Sequence, residues 1–224
     1  MPYVVLAPIF FISILFFFCA IFCVMVRPHY YLKYNLKIRV FLIAWFFPYF
    51  LFILFLTGPR DLKSYPAQES SPYKLPWKAG VQRFVAQGNR SFTSHQDFHE
   101  YAWDFVMPNG TEILAARSGR VFKINDGFDG IGLDSNAIEI EHEDGQHSAY
   151  AHIRHNSALV KVGQYVKQGQ PIALSGMVGQ TIFPHVHFLV INKEGSTSVP
   201  ISFADVSGGV PFAGHFYTSE NVTP

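Results

Sequence analysis

Cysteine is nearly absent from this sequence. The 224 residues include two cysteines, Cys19 and Cys23, and both lie in one uncharged apolar run near the N-terminus. The chain beyond residue 58 contains none, so no disulfide framework holds that part together. We interpret the two cysteines as lipid-facing or helix-packing residues.

The sequence also lacks an excess of either charge. Lys and Arg number 17 and Asp and Glu number 16, for a formal net charge of +1. This balance gives no electrostatic support for nucleic-acid binding. Glycine-rich motifs of the G-x-G-x-x-G or G-x-x-x-x-G-K type are missing too, so nucleotide binding is not expected.

Two long segments near the N-terminus contain no charged residue. Residues 3–26 and residues 40–58 are each long enough to cross a hydrocarbon core of about 30 Å as a helix. Pro48 lies in the second segment, and membrane helices tolerate such a proline. The first segment lacks the basic n-region and small-residue cleavage site of a signal peptide. Residues 1–58 therefore predict a helical hairpin with two transmembrane segments.

The loop between these segments predicts the orientation of the chain. Residues 27–39 carry Arg27, Lys33, Lys37 and Arg39 and no acidic residue. Positively charged loops stay in the cytoplasm, so both ends of the hairpin should face outward. Everything beyond Gly58 is then expected outside the cytoplasm.

The rest of the chain has the pattern of a β protein. Residues 59–72 are rich in proline and serine and predict a linker. Residues 73–224 contain short runs of alternating apolar residues separated by turn sequences, with glycines at 163 and 169 in two of the turns. The runs that predict strands are RVFKI, AIEIEH, HSAYAHI, QPIALSG and HVHFLVI. The fold class expected is mainly β, a single sandwich-like or barrel-like antiparallel domain.

Several histidines fall on or near these strands. His185 and His187 are two residues apart, so a strand would project both from the same face. Such a pair alone is more often simply hydrogen-bonded, but it gains weight where a carboxylate and further histidines converge on it. His152 ends a strand on which Tyr150 would share its face. We interpret three other histidines as solvated turn residues: His142, His147 and His155.

Four ordered segments resemble the lysostaphin-type, or LytM-domain, zinc metallopeptidases, which cut peptide cross-links of bacterial peptidoglycan. The segments are SHQDFHEYAWDFVMPNGTEILAARSGRV, NAIEIEHEDGQHSAYAHI, VKVGQYVKQGQPIALSGMVG and PHVHF, between residues 73 and 206. The resemblance implies an antiparallel β-sheet groove of the duplicated hybrid motif type, with one zinc ion on its floor.

The resemblance also implies roles for individual residues. Asp104 and His187 would bind zinc together with one histidine upstream of Asp104. Three nitrogen or oxygen ligands and one open position are what a catalytic zinc requires. His152 and His185 would transfer the proton and stabilise the oxyanion. Tyr150 is a possible donor outside the ligand set.

The upstream ligand has two candidates in SHQDFHEYAWDF. The commonest family spacing places the histidine four residues before the aspartate, where this chain has Glu100. His99 is closer to Asp104 in the sequence than His95. The serine–histidine pair and YAWDF resemble a family branch with residues inserted between the ligands, which favours His95 and leaves His99 as the alternative ligand.

The function that these features predict is a zinc endopeptidase acting on peptidoglycan peptides, anchored in a bacterial inner membrane with its catalytic domain periplasmic or extracytoplasmic. The alternative is a non-catalytic module of the same fold that binds or activates another cell-wall hydrolase. A partner in cell-wall synthesis or division is not identified by the sequence.

Overall fold

A computed structural model describes residues 61–91 and 93–224 of the chain. The expected membrane hairpin at residues 1–58, with its basic loop at 27–39, lies outside these ranges. Among the described residues, no helix combines the length and the apolar character needed to span a membrane.

The described chain is built from short strands and three 3-10 turns. The turns are Leu62–Ser64, Gln68–Ser70 and Asp97–His99. The strands are β1 (Gln82–Gln87), β2 (Trp103–Val106), β3 (Glu112–Leu114), β4 (Gly119–Asn125), β5 (Ala137–Glu141), β6 (His147–Ala151), β7 (Tyr165–Val166), β8 (Pro171–Leu174), β9 (His185–Ile191) and β10 (Phe216–Thr218). The five runs predicted as strands correspond to β4, β5, β6, β8 and β9.

Eight strands form one sheet in the order β10-β1-β2-β9-β6-β5-β4-β7, and β3 pairs with β8 in a second, two-stranded sheet. The paired strands run antiparallel throughout both sheets. The prediction of a mainly antiparallel β domain is therefore confirmed. The central strand β9 lies between β2 and β6, so its side chains lie beside side chains of both neighbouring strands.

The register of these central strands separates an apolar face from a polar one. Asp104 is the partner of His187 across β2 and β9, and Trp103 is the partner of Phe188. Tyr150 on β6 is also paired with Phe188. Directly opposed residues project from the same face of a sheet. Asp104 and His187 therefore share one face, while the three aromatic residues share the other.

The aromatic face forms the centre of the hydrophobic core. The rings of Tyr150 and Phe188 lie 5.2 Å apart, and those of Trp103 and Phe203 lie 5.3 Å apart. All four side chains are fully buried. Burial of one large apolar side chain contributes roughly 1.5–3 kcal/mol, so this layer fixes the strands that carry the polar face.

The stretch predicted as a linker is held against the β domain over part of its length. The Gln68 side chain donates to the carbonyl oxygen of Ala204 at 3.0 Å and accepts from the amide of Gly208 at 2.9 Å. The proline- and serine-rich composition predicted a short linker, and these side-chain bonds to main-chain groups attach part of it to the β domain. Residues 65–72 thus belong structurally with the β domain.

Two of the predicted turn glycines adopt left-handed backbone angles, with φ of 83° at Gly163 and 82° at Gly169. A Cβ atom at residue 169 would stand 1.9 Å from the carbonyl oxygen of Val222. Only glycine fits there, because the C-terminal segment passes directly over the turn.

His142 departs from the interpretation as a solvated turn residue. It is 3% exposed, and its Nδ1–H donates to the carbonyl oxygen of Ser118 at 2.9 Å. Its ring also meets the ring of Tyr73 edge-on at 5.5 Å. His147 and His155 are half-buried rather than fully solvated. The alternating pattern around His142 did not reveal that Ser118 and Tyr73 lie against its ring.

Candidate metal centre

Asp104 and His187 form the centre of the polar face. They are opposed across β2 and β9, and His187 Nδ1 lies 2.8 Å from Asp104 Oδ1. Asp104 is 3% exposed and His187 is 8% exposed. The sheet register alone brings this carboxylate and this imidazole together.

His95 reaches the same carboxylate oxygen from the loop between β1 and β2. Its Nε2 lies 3.2 Å from Asp104 Oδ1, and its Nδ1–H donates to the carbonyl oxygen of Gly88 at 2.7 Å. The side chain is fully buried. The bond to Gly88 fixes the tautomer in which Nε2 presents its lone pair to the site.

These three residues fit a divalent metal ion. One donor atom from each of His95, Asp104 and His187 lies within 4.8 Å of the others. Two imidazoles and one carboxylate form the nitrogen and oxygen donor set that zinc accepts at sites with an open fourth position. The hydrogen bond from His95 Nδ1–H to the Gly88 carbonyl oxygen leaves Nε2 available as a ligand atom, which also supports metal binding.

The Asp104 carboxylate is held in its ionised form. Burial alone would raise its pKa, but the neighbouring imidazoles of His185, His187 and His95 outweigh burial and hold the pKa well below its usual range. A metal ligand must be deprotonated, so this environment prepares the carboxylate for binding.

Two further imidazoles lie beside the triad. The rings of His152 and His185 are 4.6 Å apart, and His185 Nε2 lies 3.5 Å from Asp104 Oδ1. His152 Nδ1–H donates to the carbonyl oxygen of Val178 at 2.8 Å, and His185 Nδ1–H donates to that of Phe183 at 2.9 Å. Each ring therefore leaves its Nε2 for chemistry in the site.

The environments of the two rings differ. Burial, together with the neighbouring His185, lowers the pKa of His152 to about 4. Burial also acts to lower the pKa of His185, but the hydrogen bond to Asp104 outweighs it and raises that pKa. His152 is therefore the ring held in its neutral form, and His185 is the ring that more readily carries a second proton.

His152 reaches the site by leaving the strand pattern. β6 ends at Ala151, and His152 has a φ of 63°, in the left-handed region. Strict alternation would have placed it on the face of Tyr150. The left-handed backbone instead turns its ring toward His185 and His187, with centroid distances of 4.6 Å and 5.9 Å.

Tyr150 does not meet the expectation of a donor at the site. Its ring lies in the aromatic core against Phe188, on the sheet face opposite to His187. Its hydroxyl accepts from the amide of Ala116 at 2.8 Å and bonds Ser148 at 3.1 Å. Its predicted role assumed that it shared a face with His152, and the change of backbone direction after Ala151 removes that basis.

His99 occupies a position outside the triad. Its Nδ1 lies 3.0 Å from His187 Nε2, the ring nitrogen of His187 that faces away from Asp104. His99 is exposed and lies on the 3-10 turn Asp97–His99. The geometry therefore brings His95 to the Asp104 carboxylate, whereas His99 contacts His187 on the side away from that carboxylate.

Gln87, at the end of β1, contacts the triad although the sequence gave no reason to select it. Its Nε2 donates to Asp104 Oδ2 at 2.6 Å, and its Oε1 accepts from Ser91 Oγ at 2.6 Å. Gln87 also bonds the hydroxyls of Thr93 and Ser94. A glutamine that ends an apolar strand next to a Ser/Thr-rich loop was the available signal. The main-chain carbonyl groups of Gly88, Val178 and Phe183 also bond histidines of the site, and side-chain patterns in the sequence cannot reveal such contacts.

The family model of Peptidase family M23 matches residues 98–200. The matched range includes Asp104, His152, His185 and His187 and begins after His95.

Several curated proteins are similar to this region. Lysostaphin of Staphylococcus simulans is 39% identical over 112 residues, covering 48% of this chain and 22% of lysostaphin. Peptidoglycan DD-endopeptidase ShyB of Vibrio cholerae is 35% identical over 91 residues, covering 41% of this chain and 20% of ShyB. Murein hydrolase activator EnvC of Escherichia coli is 40% identical over 91 residues, again covering 41% and 20%. The chain thus spans about a fifth of the length of these relatives.

Among solved structures, a zinc-containing peptidase from Vibrio cholerae aligns with 58% of this chain and 39% of its own, at 27% identity and a TM-score of 0.45. The family match and the curated relatives show that residues 98–200 are similar to Peptidase family M23, with lysostaphin and a DD-endopeptidase among the similar proteins.

Proposed function

We propose that this chain is a zinc-dependent endopeptidase that hydrolyses peptide cross-links of peptidoglycan. The observation that carries the proposal is the convergence of five side chains on one face of the sheet. His95, Asp104 and His187 present three metal-binding atoms, and His152 and His185 present two free imidazole nitrogens beside them. The similarity to lysostaphin and ShyB supports peptidoglycan as the substrate.

The residues divide the work of peptide hydrolysis. His95 Nε2, Asp104 Oδ1 and His187 Nδ1 would hold the zinc ion. When bound, zinc supplies a Lewis acid that lowers the pKa of water and polarises the scissile carbonyl group. The imidazoles of His152 and His185 lie beside these three candidate ligands.

His152 and His185 would manage the proton and the developing negative charge. With Nδ1–H committed to a main-chain carbonyl, each ring can only exchange a proton or a hydrogen bond through Nε2. One imidazole would accept the proton of the attacking water and pass it to the leaving amine. The other would donate a hydrogen bond to the oxyanion of the tetrahedral intermediate.

A second candidate function is that of a module that activates another cell-wall hydrolase. The similarity to EnvC, a murein hydrolase activator by name, favours it. The intact set of three metal-binding and two proton-transfer side chains favours the enzyme, because an activator has no need of these five groups.

Digestion of isolated peptidoglycan by the purified full-length chain tests the proposal. Zinc-loaded protein should release muropeptides with newly exposed peptide ends, identified by mass spectrometry. Chelation should stop the release, and added zinc should restore it. A chain that binds zinc but releases no fragments, and that stimulates a separate amidase or peptidase instead, would establish the activator function.

The location of the domain is part of the proposal. The uncharged segments at residues 3–26 and 40–58 and the basic loop at 27–39 support a hairpin in the inner membrane with the catalytic domain outside the cytoplasm. A reporter that is active only in the cytoplasm, fused after Pro224, should be silent. An active fusion would invert the topology and separate the enzyme from its substrate.

A further inference from the structure

The contact between His99 and His187 bears on which ring nitrogen of His187, a candidate metal ligand, carries the proton. His99 Nδ1 lies 3.0 Å from His187 Nε2, and the two rings meet edge-on with an interplanar angle of 67°. Two facing imidazole nitrogens can form a hydrogen bond only if one carries a proton and the other does not. The contact therefore links the tautomers of the two rings.

Metal binding decides which nitrogen carries the proton. His187 Nδ1 is the atom that faces Asp104 Oδ1, at 2.8 Å, and a ligand nitrogen must be deprotonated. Neutral His187 then holds its proton on Nε2, where His99 Nδ1 stands as the acceptor. A ligating histidine that donates its second N–H to a fixed acceptor is held in orientation and tautomer.

The main chain holds His99 where this acceptor role requires it. The amide of His99 donates to the carbonyl oxygen of Gln96 at 2.9 Å, and the carbonyl oxygen of His99 accepts from the amide of Ala102 at 2.9 Å. Asp97 starts the turn with a φ of 51°. Ala102 is fully buried and immediately precedes β2, so the turn is attached to the strand that carries Asp104.

We propose that His99 is a positioning residue for His187, which it orients by accepting the Nε2–H bond. The inference rests on the metal-binding part of the proposed function. It also explains the longer spacing between His95 and Asp104, because the additional residues bring His99 into contact with His187 on the neighbouring strand. His99 is not one of the three residues whose donor atoms converge.

Two variants at this position separate the role of an acceptor from that of a bulky side chain. His99→Asn keeps an acceptor, because the carboxamide oxygen of asparagine lies close to where Nδ1 of histidine lies. His99→Leu removes the acceptor and retains an apolar side chain. His215→Leu is the matched control, since His215 is also exposed and bonds through Nδ1 to a main-chain carbonyl, that of Ala213, at 3.1 Å.

Zinc affinity of the full-length protein, measured against a competing chelator, is the first readout. We expect His99→Leu to bind zinc about 10–100-fold more weakly than the wild type, with one ion still bound at saturation. His99→Asn and His215→Leu should remain within about threefold of the wild type. Long-range ¹H–¹⁵N spectra of the zinc-loaded protein are the second readout, and the His187 Nε2 proton should be protected from exchange in the wild type and in His99→Asn only.

Three outcomes would overturn the inference. His99→Leu with wild-type affinity and an unchanged His187 Nε2 proton would show that the contact has no effect. Loss of zinc by both His99 variants would make His99 a ligand. An affinity loss in His99→Asn equal to that in His99→Leu would remove the acceptor role. These measurements need no substrate, so a wild type that binds zinc without cleaving peptidoglycan would contradict the proposed function and leave this inference standing.

Discussion

The two sides of the candidate site are held in place by different kinds of group. On the metal side, Asp104 is bonded through both carboxylate oxygens to the side chains of His95, His187 and Gln87. On the proton-transfer side, His152 and His185 are each anchored through Nδ1 to a main-chain carbonyl. Side chains thus orient the Asp104 carboxylate, whereas main-chain carbonyls orient the imidazoles of His152 and His185 and, through Gly88, that of His95.

This difference has a consequence for substitution. The side-chain anchors of Asp104 can be removed one at a time by mutation, and each removal should change metal affinity. The anchors of the other side belong to residues 178 and 183, whose carbonyl groups persist whatever the side chain. His152 also depends on a left-handed backbone angle, a conformation that costs a non-glycine residue of order 1–3 kcal/mol and that the surrounding segments must stabilise.

The largest effect should follow removal of a metal-binding side chain. Asp104→Ala, His187→Ala and His95→Ala should each lose both zinc and peptidoglycan cleavage, because removing a ligand removes the ion. Zinc content by atomic spectroscopy after dialysis checks this, with His215→Leu as a control that retains one ion. If His95→Ala bound zinc normally while His99→Ala did not, the assignment of the upstream ligand would be wrong.

The next largest effect should come from the proton-transfer side. His152→Ala and His185→Ala should keep their zinc and lose about 10²–10⁴ in cleavage rate, the usual contribution of a positioned acid or base. Zinc content and rate measured on the same preparations test the division between the two sides. A metal-free His185→Ala together with a zinc-loaded His187→Ala would reverse the assignment within the His-x-His pair.

A smaller effect should appear when an outer anchor of the metal side is removed. Gln87→Met takes away the donor to Asp104 Oδ2 at nearly constant size, so the carboxylate can rotate and zinc affinity should fall about 10–100-fold. Gln82→Met is the matched control, because Gln82 is an exposed glutamine on the same strand. Equal affinities for the two variants would show that the sheet alone fixes Asp104.

The last effect is on stability rather than on zinc or cleavage, and it concerns a carbonyl-anchored histidine away from the site. His142 is buried, and burial lowers its pKa to about 4 despite the bond to Ser118, with Arg117 and His147 adding to the decrease and Asp144 opposing it. The unfolded chain takes up this proton near pH 6.5, so stability is present above that pH and is lost as the pH falls toward 4.

The difference can reach about 3 kcal/mol, from roughly 1.4 kcal/mol per pKa unit. Urea unfolding at pH 7 and pH 5 should show a smaller loss for His142→Asn, which cannot titrate, than for the wild type. An identical loss in both proteins would show that His142 is accessible to protons in the folded chain.

Much of the fold could be predicted because its signals are local. Alternation over residues 137–142, 147–153 and 185–191 identified three adjacent central strands, and the spacing of His185 and His187 identified a shared face. Short strands such as β3, β7 and β10 were not predicted, since two or three residues are too few to show an alternating pattern. The resemblance in ordered motifs supplied the candidate side chains, and the family match supports the same region.

The sequence by itself determined which chemical groups are available: one aspartate and a set of histidines at strand spacing, on a chain without a disulfide framework in its β domain. The tertiary structure decided how they are used. Sheet register placed Asp104 opposite His187, and the loop after β1 brought His95 rather than His99 to the carboxylate. The left-handed backbone of His152 turned its own ring away from the face of Tyr150. Contacts between residues 83 or 88 positions apart, as between His187 and Asp104 or His99, depend on packing and main-chain path, and neither has a local signature in the sequence.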